Sequence, residues 1–194
     1  VWAGGWTSVP PQLCGALAAR GPELHDVTIV SFLTPYKWDT PENLANFTVV
    51  TAYASPFDRA AVRAGRMEYV PVSQFREGVM PPGIGTLDVA MIPISPPDEE
   101  GWCSFGSGVF FGPTVAKVAG RLIGEVHENF IRTGGDNRIH ISRFERVCEY
   151  TLPPAVAPIP PRSEETELAA QVMRRLWDEA ASVEALPAWP ANST

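Results

Sequence analysis

Three short loops of this sequence combine glycine with hydroxyl residues or with arginine, the residue types that bind phosphate and carboxylate groups. The first loop contains Gly4, Gly5 and Ser8. Glycine lets a backbone approach a ligand closely, and the helix predicted after this loop would offer unpaired amides to an anion. A plain turn between a strand and a helix explains the same residues, because short glycine motifs are weak evidence of a binding site.

The second loop follows the most apolar predicted strand and contains Ser104, Gly106, Ser107 and Gly108. It has neither the GxSxG pattern of a nucleophile elbow nor the GxxxxGK[ST] pattern of a P-loop. Two interpretations remain open: a tight polar turn, or a backbone cradle for a phosphate or a thioester. Ligands of open α/β sheets bind at the carboxyl ends of parallel strands, which is where this loop is expected.

The third loop contains Arg132, Thr133, Gly135 and Asp136. The guanidinium of Arg132 could hold a carboxylate or a phosphate of a ligand. It could equally pair with Asp136 and brace the turn. No residue of the sequence stands out as a nucleophile or a general base, and we expect structural roles for all three histidines: His25, His127 and His140.

The elements that position these loops alternate between strand and helix as far as about residue 126, which is typical of βαβ units. Strands are predicted over residues 1–3, 26–33, 47–53, 69–72, 87–95, 121–126, 138–142 and 146–150, with a flexible turn over residues 4–9. Helices are predicted to begin at Pro10-Pro11, Ser55-Pro56 and Pro113, the last two ending at Gly65 and Gly120. We therefore expect an open, mainly parallel α/β sheet with helices on both faces.

The carboxyl-terminal part of the chain has a different composition. Residues 1–150 are predicted to form the α/β domain, and the proline-rich residues 151–162 an extended connector. Residues 163–181 are predicted to be a helix, because acidic residues fill its first turn and Leu168, Val172 and Leu176 recur every four residues. Residues 182–194 are predicted to be a tail.

Composition limits the classes of partner. The chain has 194 residues and a net charge of −7, which argues against nucleic acid or an anionic membrane as its main partner. It contains no apolar run of the roughly 18–20 residues that a membrane span needs. Three cysteines without a CxxC pair favour a reduced, cytoplasmic protein and argue against disulfides or a metal site. The sequence opens at Val1 within a predicted strand, so we expect residues upstream of it.

The run from Leu87 to Ile141 resembles the acetyl-CoA hydrolase/transferase family, which includes the 4-hydroxybutyrate CoA-transferases. The family pattern DVALIQVSPPD-x-x-G-x-CSLGVS is matched by LDVAMIPISPPDEEGWCSFGSG, and its AEVN-x-x-x-P-R-T-x-GD segment by GEVHENFIRTGGD. Upstream, residues 4–11 resemble the first glycine-rich loop of the family, and residues 64–72 its EG-x-x-x-YVPV segment. The resemblance covers roughly residues 1–176.

The resemblance implies a CoA-transferase-type fold and an acyl-CoA thioester as substrate, with coenzyme A as its carrier group and no metal. The family enzyme is a tandem of two related α/β domains, and this chain resembles the amino-terminal one. The family's catalytic glutamate lies in the second domain and has no counterpart here, so we expect no catalytic residue on this chain. We expect a partner subunit that resembles the carboxyl-terminal domain, and no nucleic-acid or membrane partner.

Two departures from the family pattern bear on substrate choice. The chain has Gly4-Gly5 where family members often carry a polar residue, and the typical GVSVDY reads GSGVFF over residues 106–111. The resemblance then implies a substrate pocket more apolar than one for a hydroxy acid. It also leaves two functions open: an enzyme subunit that performs transfer, hydrolysis, cyclisation or condensation, and a non-catalytic binding or scaffold subunit that has kept the fold.

Overall fold

A seven-stranded sheet forms the centre of the computed structural model, which describes residues 1–71, 86–150 and 163–182. Its strands are β1 (Trp2–Gly5), β2 (Val27–Phe32), β3 (Phe47–Thr51), β4 (Glu68–Tyr69), β5 (Leu87–Ile94), β7 (Ala119–Val126) and β9 (Arg146–Glu149). A separate antiparallel pair is formed by β6 (Trp102–Ser104) and β8 (Arg138–His140). The large sheet has the order β4-β3-β2-β1-β5-β7-β9, and each of its described pairings is parallel, as the sequence predicts.

Helices cover both faces of this sheet, which confirms the predicted architecture. The helices are α1 (Pro11–Ala19), α2 (Pro41–Asn46), α3 (Arg59–Arg63) and α4 (Gly112–Val118). Successive residues of a strand point to opposite faces, and so Ile29 of β2 packs with α1 and α3 whereas Val30 packs with α4. Both faces therefore bury apolar residues, which is why β5 is an almost continuous apolar run.

The amino-terminal glycines lie in regular structure, so the predicted flexible turn over residues 4–9 is wrong. Gly4 and Gly5 are the last two residues of β1, and a short 3-10 turn over Trp6–Ser8 follows. Backbone pairing extends the strand this far, because Gly5 is in register with Phe32 of β2. Helix α1 begins at Pro11, as predicted.

Two predicted helix boundaries are also wrong. Helix α3 begins at Arg59 and not at Ser55, because the Ser55 hydroxyl accepts from the Phe57 amide at 3.1 Å and donates to Asp58 at 2.9 Å, which makes a turn there. Helix α4 ends at Val118, and Gly120 lies inside β7. The ladder with β5 begins at Ala119 and ends the helix before the glycine is reached.

One α-helix and one strand of the described residues were not predicted from the sequence. Helix α2 has a local signal, since Thr40 precedes Pro41 and its hydroxyl accepts from the Asn43 amide at 3.2 Å. Strand β6 has no such signal, because it is three residues long and pairs with β8 across more than 30 residues of sequence. The second loop, predicted over residues 102–108, therefore begins with a strand.

The contacts divide the chain into two units, Val1–Ala155 and Val156–Thr194. Helix α5 (Glu164–Ser182) belongs to the second unit, and each of its ends is one residue from the predicted helix over residues 163–181. Ser163 caps it, accepting from the Thr166 amide at 3.2 Å. Leu168, Val172 and Leu176 are exposed along one side of it. The predicted connector over 151–162 lies outside the described residues, as does the predicted tail after Ser182.

Candidate functional site

The first glycine loop is packed against itself. Gly4 has a φ of +88°, and a Cβ atom there would lie 2.4 Å from the Ser8 carbonyl oxygen. A Cβ on Gly5 would lie 2.8 Å from the carbonyl oxygen of Phe32. The hydroxyl of Ser8 donates to the Gly5 carbonyl at 2.7 Å and is buried. These glycines are therefore required by contacts within the chain, whether or not a ligand also approaches them.

The second loop is closed by a buried serine. The hydroxyl of Ser104 accepts from the amides of Gly106 at 3.0 Å and Thr133 at 3.1 Å. The Ser104 amide itself donates to the Ser95 hydroxyl at 2.8 Å. Gly106 has a φ of +55°, and a Cβ there would lie 2.5 Å from the ring of Phe130. Ser104 and Gly106 thus shape the turn, and neither is exposed.

The structure brings the first and second loops into contact at the carboxyl edge of the sheet. The Thr7 hydroxyl donates to the Ser107 carbonyl at 3.3 Å, and a Cβ on Gly108 would lie 2.8 Å from the Cβ of Ser8. Ser107 is exposed, and its hydroxyl forms no hydrogen bond with the residues that the structure describes. At the seam between the two loops, residues 7–8 and 107–108, Ser8 and Gly108 are buried, so a ligand can reach the seam at Thr7 and Ser107.

Both terminal nitrogens of Arg132 in the third loop hydrogen-bond within the protein. Its guanidinium donates to the Pro96 carbonyl at 2.6 Å, the Trp102 carbonyl at 2.8 Å, the Ser95 hydroxyl at 3.1 Å and Asp98 at 3.0 Å. The arginine thus ties the loop after β5 to the loop after β7. The alternative pairing of Arg132 with Asp136 is wrong, because Asp98 takes that place.

The other residues of the third loop divide into two groups. The Thr133 hydroxyl donates to the Gly106 carbonyl at 3.1 Å, which joins the second and third loops. Asn137 also reaches that carbonyl, at 3.3 Å, and contacts the Thr133 hydroxyl. Gly135 and Asp136 are exposed, and a Cβ on Gly135 would meet no atom within 4 Å. This tip of the loop is open to solvent.

Hydrogen bonds stabilise the negative charge of Asp98. The Trp102 amide donates to its carboxylate at 2.7 Å and the Glu100 amide at 3.2 Å, and Arg132 pairs with it. These contacts, the Trp102 amide first, hold the pKa of Asp98 below its usual value of 3.8. A carboxylate stabilised in this way is a poor proton acceptor, so Asp98 braces the loop and is not a candidate general base.

The most buried charged side chain near these loops was not singled out from the sequence. Glu125 of β7 is fully buried and accepts from the Leu13 amide of α1 at 2.8 Å. Its other oxygen lies 2.8 Å from Nε2 of His127, although the two atoms are not aligned as a hydrogen bond. Burial first, and then the charge of Glu125, raise the pKa of the Cys14 thiol. A glutamate in the apolar second half of a predicted buried strand was the available signal.

Exposed apolar side chains concentrate at the same edge of the sheet. Tyr53, Phe57 and Tyr69 follow or end β3 and β4, and Phe110 and Ile131 follow β5 and β7. Val109 is exposed beside Phe110. We call these six residues the apolar rim. Large exposed apolar patches mark sites where another protein or a ligand binds, and the rim supplies apolar side chains for such a contact.

Other features do not point to a competing site. An open groove lies at the opposite edge of the sheet, at the amino ends of β5 and β7, with Asp88 and Arg121 in its lining. No group of three or more histidine, cysteine, aspartate or glutamate side chains within residues 1–71, 86–150 and 163–182 is arranged to hold a metal ion. None of the helices in those ranges is long and apolar enough to cross a membrane.

An open parallel α/β sheet with loops meeting at its carboxyl edge defines a class of ligand-binding domains. Residues 22–160 match the family described as the acetyl-CoA hydrolase/transferase N-terminal domain. The chain therefore belongs to that family, as the resemblance predicts.

Two curated relatives are CoA-transferases. The chain is 38% identical over 101 residues to 4-hydroxybutyrate coenzyme A transferase of Clostridium kluyveri, a match that covers 49% of this chain and 22% of that protein. It is 28% identical over 185 residues to butyryl-CoA:acetate CoA-transferase of Anaerostipes caccae, covering 90% of this chain and 41% of that protein. The chain thus spans less than half the length of these relatives.

Solved structures share the fold. RipA from Yersinia pestis superposes with a TM-score of 0.81 at 24% identity, over 90% of this chain and 44% of that one. The decarboxylase AibA/AibB, solved as a cysteine-to-serine variant, superposes with a TM-score of 0.53 at 17% identity. That match covers 93% of this chain and 89% of the other, so a neighbour of similar length exists.

Proposed function

We propose that this chain is one component of a CoA-transferase-like enzyme that acts on acyl-CoA thioesters. The observation that carries the proposal is the meeting of residues 7–8 and 107–108 at the carboxyl edge of the sheet, in a chain of the acetyl-CoA hydrolase/transferase family. The chain contributes the wall of the thioester site and the loops that frame it. No metal takes part, and we expect the complex to work in the cytoplasm.

The catalytic glutamate belongs to a partner subunit that resembles the carboxyl-terminal domain of the family. In the family-like mechanism this carboxylate attacks the thioester carbonyl and expels CoA as a thiolate, which leaves a mixed anhydride. The thiolate then attacks the glutamyl carbonyl, releases the acyl group as a carboxylate and forms the covalent glutamyl-CoA intermediate, while backbone amides stabilise the oxyanions. The apolar rim supports such a partner, because it offers exposed apolar side chains after the carboxyl ends of strands, where the site is proposed. The name of the structural neighbour AibA/AibB, which joins two components, also supports a two-component assembly.

Trapping tests this mechanism. The chain is expressed with the protein that co-purifies with it and incubated with acyl-CoA, and both polypeptides are weighed by mass spectrometry without any reducing step. A CoA-dependent adduct is expected on the partner and not on this chain. Turnover without an adduct on either polypeptide would exclude the glutamyl-CoA intermediate and favour hydrolysis, cyclisation or condensation on the same thioester.

A second candidate function is a binding or scaffold subunit without chemistry. One observation favours it: Ser104, Arg132 and Thr133 are all occupied by internal hydrogen bonds and have little capacity left for a ligand. Calorimetric titration of the complex with CoA and with acyl-CoA separates the two functions. Micromolar to millimolar affinity, the range of enzyme substrates, supports the enzyme, and absence of binding supports the scaffold.

A further inference from the structure

Helix α1 takes its amino-terminal cap from a distant strand. Pro10 precedes the helix and supplies no side-chain cap, and Pro11 has no amide hydrogen to donate. The amide of Leu13 donates instead to the Glu125 carboxylate of β7, 112 positions along the chain, at 2.8 Å. A carboxylate at this end of a helix satisfies an unpaired amide and complements the helix dipole. Glu125 therefore fixes the point at which the first loop ends.

The same carboxylate contacts a second buried polar side chain. The second oxygen of Glu125 lies 2.8 Å from Nε2 of His127, and the two side chains are 0% and 10% exposed. Burying a carboxylate is costly unless polar groups surround it. The hydrogen bond from the Leu13 amide offsets part of that cost, whereas the contact with His127 is not aligned as a hydrogen bond. An apolar residue at position 125 would leave the Leu13 amide without its partner.

From His127 the contacts continue to the second loop. The ring of His127 packs on Phe130, with centroids 5.9 Å apart and an interplanar angle of 35°. The ring of Phe130 covers Gly106 so closely that any Cβ there would overlap it. Glu125, His127 and Phe130 thus form a continuous line of contacts from the amino end of α1 to the Gly106 turn.

We propose that Glu125 and His127 are positioning residues that hold the first and second loops at the spacing the thioester site requires. This inference rests on the proposed function, because the spacing matters for catalysis only if the seam between residues 7–8 and 107–108 binds the substrate. Neither side chain touches the substrate. Removing either one should let the loop at its own end of the line move while the sheet stays folded.

Hydrogen exchange and kinetics on the complex of the full chain with its co-purifying partner test the proposal. Glu125→Ala should raise amide exchange in residues 4–14, and His127→Ala should raise it in residues 104–110. Both should lower kcat by about 10- to 100-fold with little change in KM, the size of effect that a displacement of about 1 Å produces. Glu125→Gln keeps an acceptor for the Leu13 amide and should restore most of the protection.

Leu122→Ala is the matched control, because Leu122 is a buried residue of the same strand and belongs to the apolar cluster that packs on α4. It should lower the melting temperature without selective exchange in either loop. If Glu125→Ala and His127→Ala behave like this control in exchange and in kcat, the positioning role is refuted. If the unmodified complex neither binds nor turns over a CoA thioester, the proposed function fails, and exchange alone still decides whether the pair holds the loops.

Discussion

Replacing Arg132 by alanine distinguishes a structural arginine from a ligand-binding one. The substitution removes hydrogen bonds to the carbonyls of Pro96 and Trp102 and to the hydroxyl of Ser95, together with the contact to Asp98. The loop after β5 and the loop after β7 then lose their main connection through a side chain. We expect the folded chain to be destabilised even in the absence of any ligand.

The size of the effect follows from the three hydrogen bonds. Each contributes about 0.5–1.5 kcal/mol, and so together they contribute about 1.5–4.5 kcal/mol. The Arg132 side chain is 43% exposed, so water competes for its donors and the lower part of that range applies. We add nothing for the exposed contact with Asp98. A loss of about 2 kcal/mol should lower the melting temperature of a domain of this size by about 4–8 °C.

Thermal and urea unfolding of the purified chain measure this loss. The matched control is Arg121→Ala, because the Arg121–Glu145 ion pair spans 3.7 Å and both side chains are more than half exposed. Its removal should cost less than about 1 kcal/mol. The reasoning is refuted if the Arg132→Ala variant has the same melting temperature as the Arg121→Ala variant while the complex that contains Arg132→Ala loses affinity for acyl-CoA. That result would make Arg132 a ligand-binding residue.

Three further predictions concern charge, thiols and backbone. Because the pKa of Asp98 is lower in the folded chain than its usual 3.8, Asp98 stabilises the fold above that value, and the contribution is lost as the pH falls through the folded pKa. Asp98→Asn should therefore weaken the pH dependence of the free energy of urea unfolding below about pH 4, and an unchanged dependence would contradict this. Burial raises the pKa of all three cysteine thiols, so few of them are ionised at about pH 8. Iodoacetamide at that pH should label the native chain slowly and all three thiols of the denatured chain, and rapid labelling of the native chain would contradict this prediction. Gly106→Ala should lower the free energy of unfolding by about 2–3 kcal/mol, because φ is +55° and the Phe130 ring occupies the space of a Cβ atom. Gly134→Ala is the control, with open space around it, and should lower the free energy of unfolding by less than about 0.5 kcal/mol. Equal melting temperatures of the two variants would show that the Gly106 turn tolerates a side chain.

The architecture could be predicted because its signals are local. A proline at the first position of α1, the apolar run of β5 and the acidic first turn of α5 each reflect the burial or backbone chemistry of a few adjacent residues. Parallel strands are covered on both faces, so continuous hydrophobicity alone indicates where they lie. The same local reasoning placed the boundary of α4 wrongly at Gly120, because pairing with β5 ends that helix earlier.

The candidate site could be predicted only in part. The sequence placed the glycine and serine loops after the carboxyl ends of strands, and the structure brings residues 7–8 against residues 107–108 there. It could not show that Ser104 points its hydroxyl at backbone amides of its own turn and of a loop 29 residues away. Residue type and spacing identify which groups are able to bind a ligand, but they do not reveal which of those groups form hydrogen bonds within the folded chain instead.

The sequence alone therefore determined the fold class and the family, since both depend on residue patterns that can be recognised without knowing which residues are in contact. Only the tertiary structure decided that Arg132 pairs with Asp98 and that Glu125 caps α1. The partners in these contacts are 34 and 112 positions apart. A side chain reaches such a partner only after the strands have paired and brought their ends to one edge, so no local pattern of residues encodes the contact.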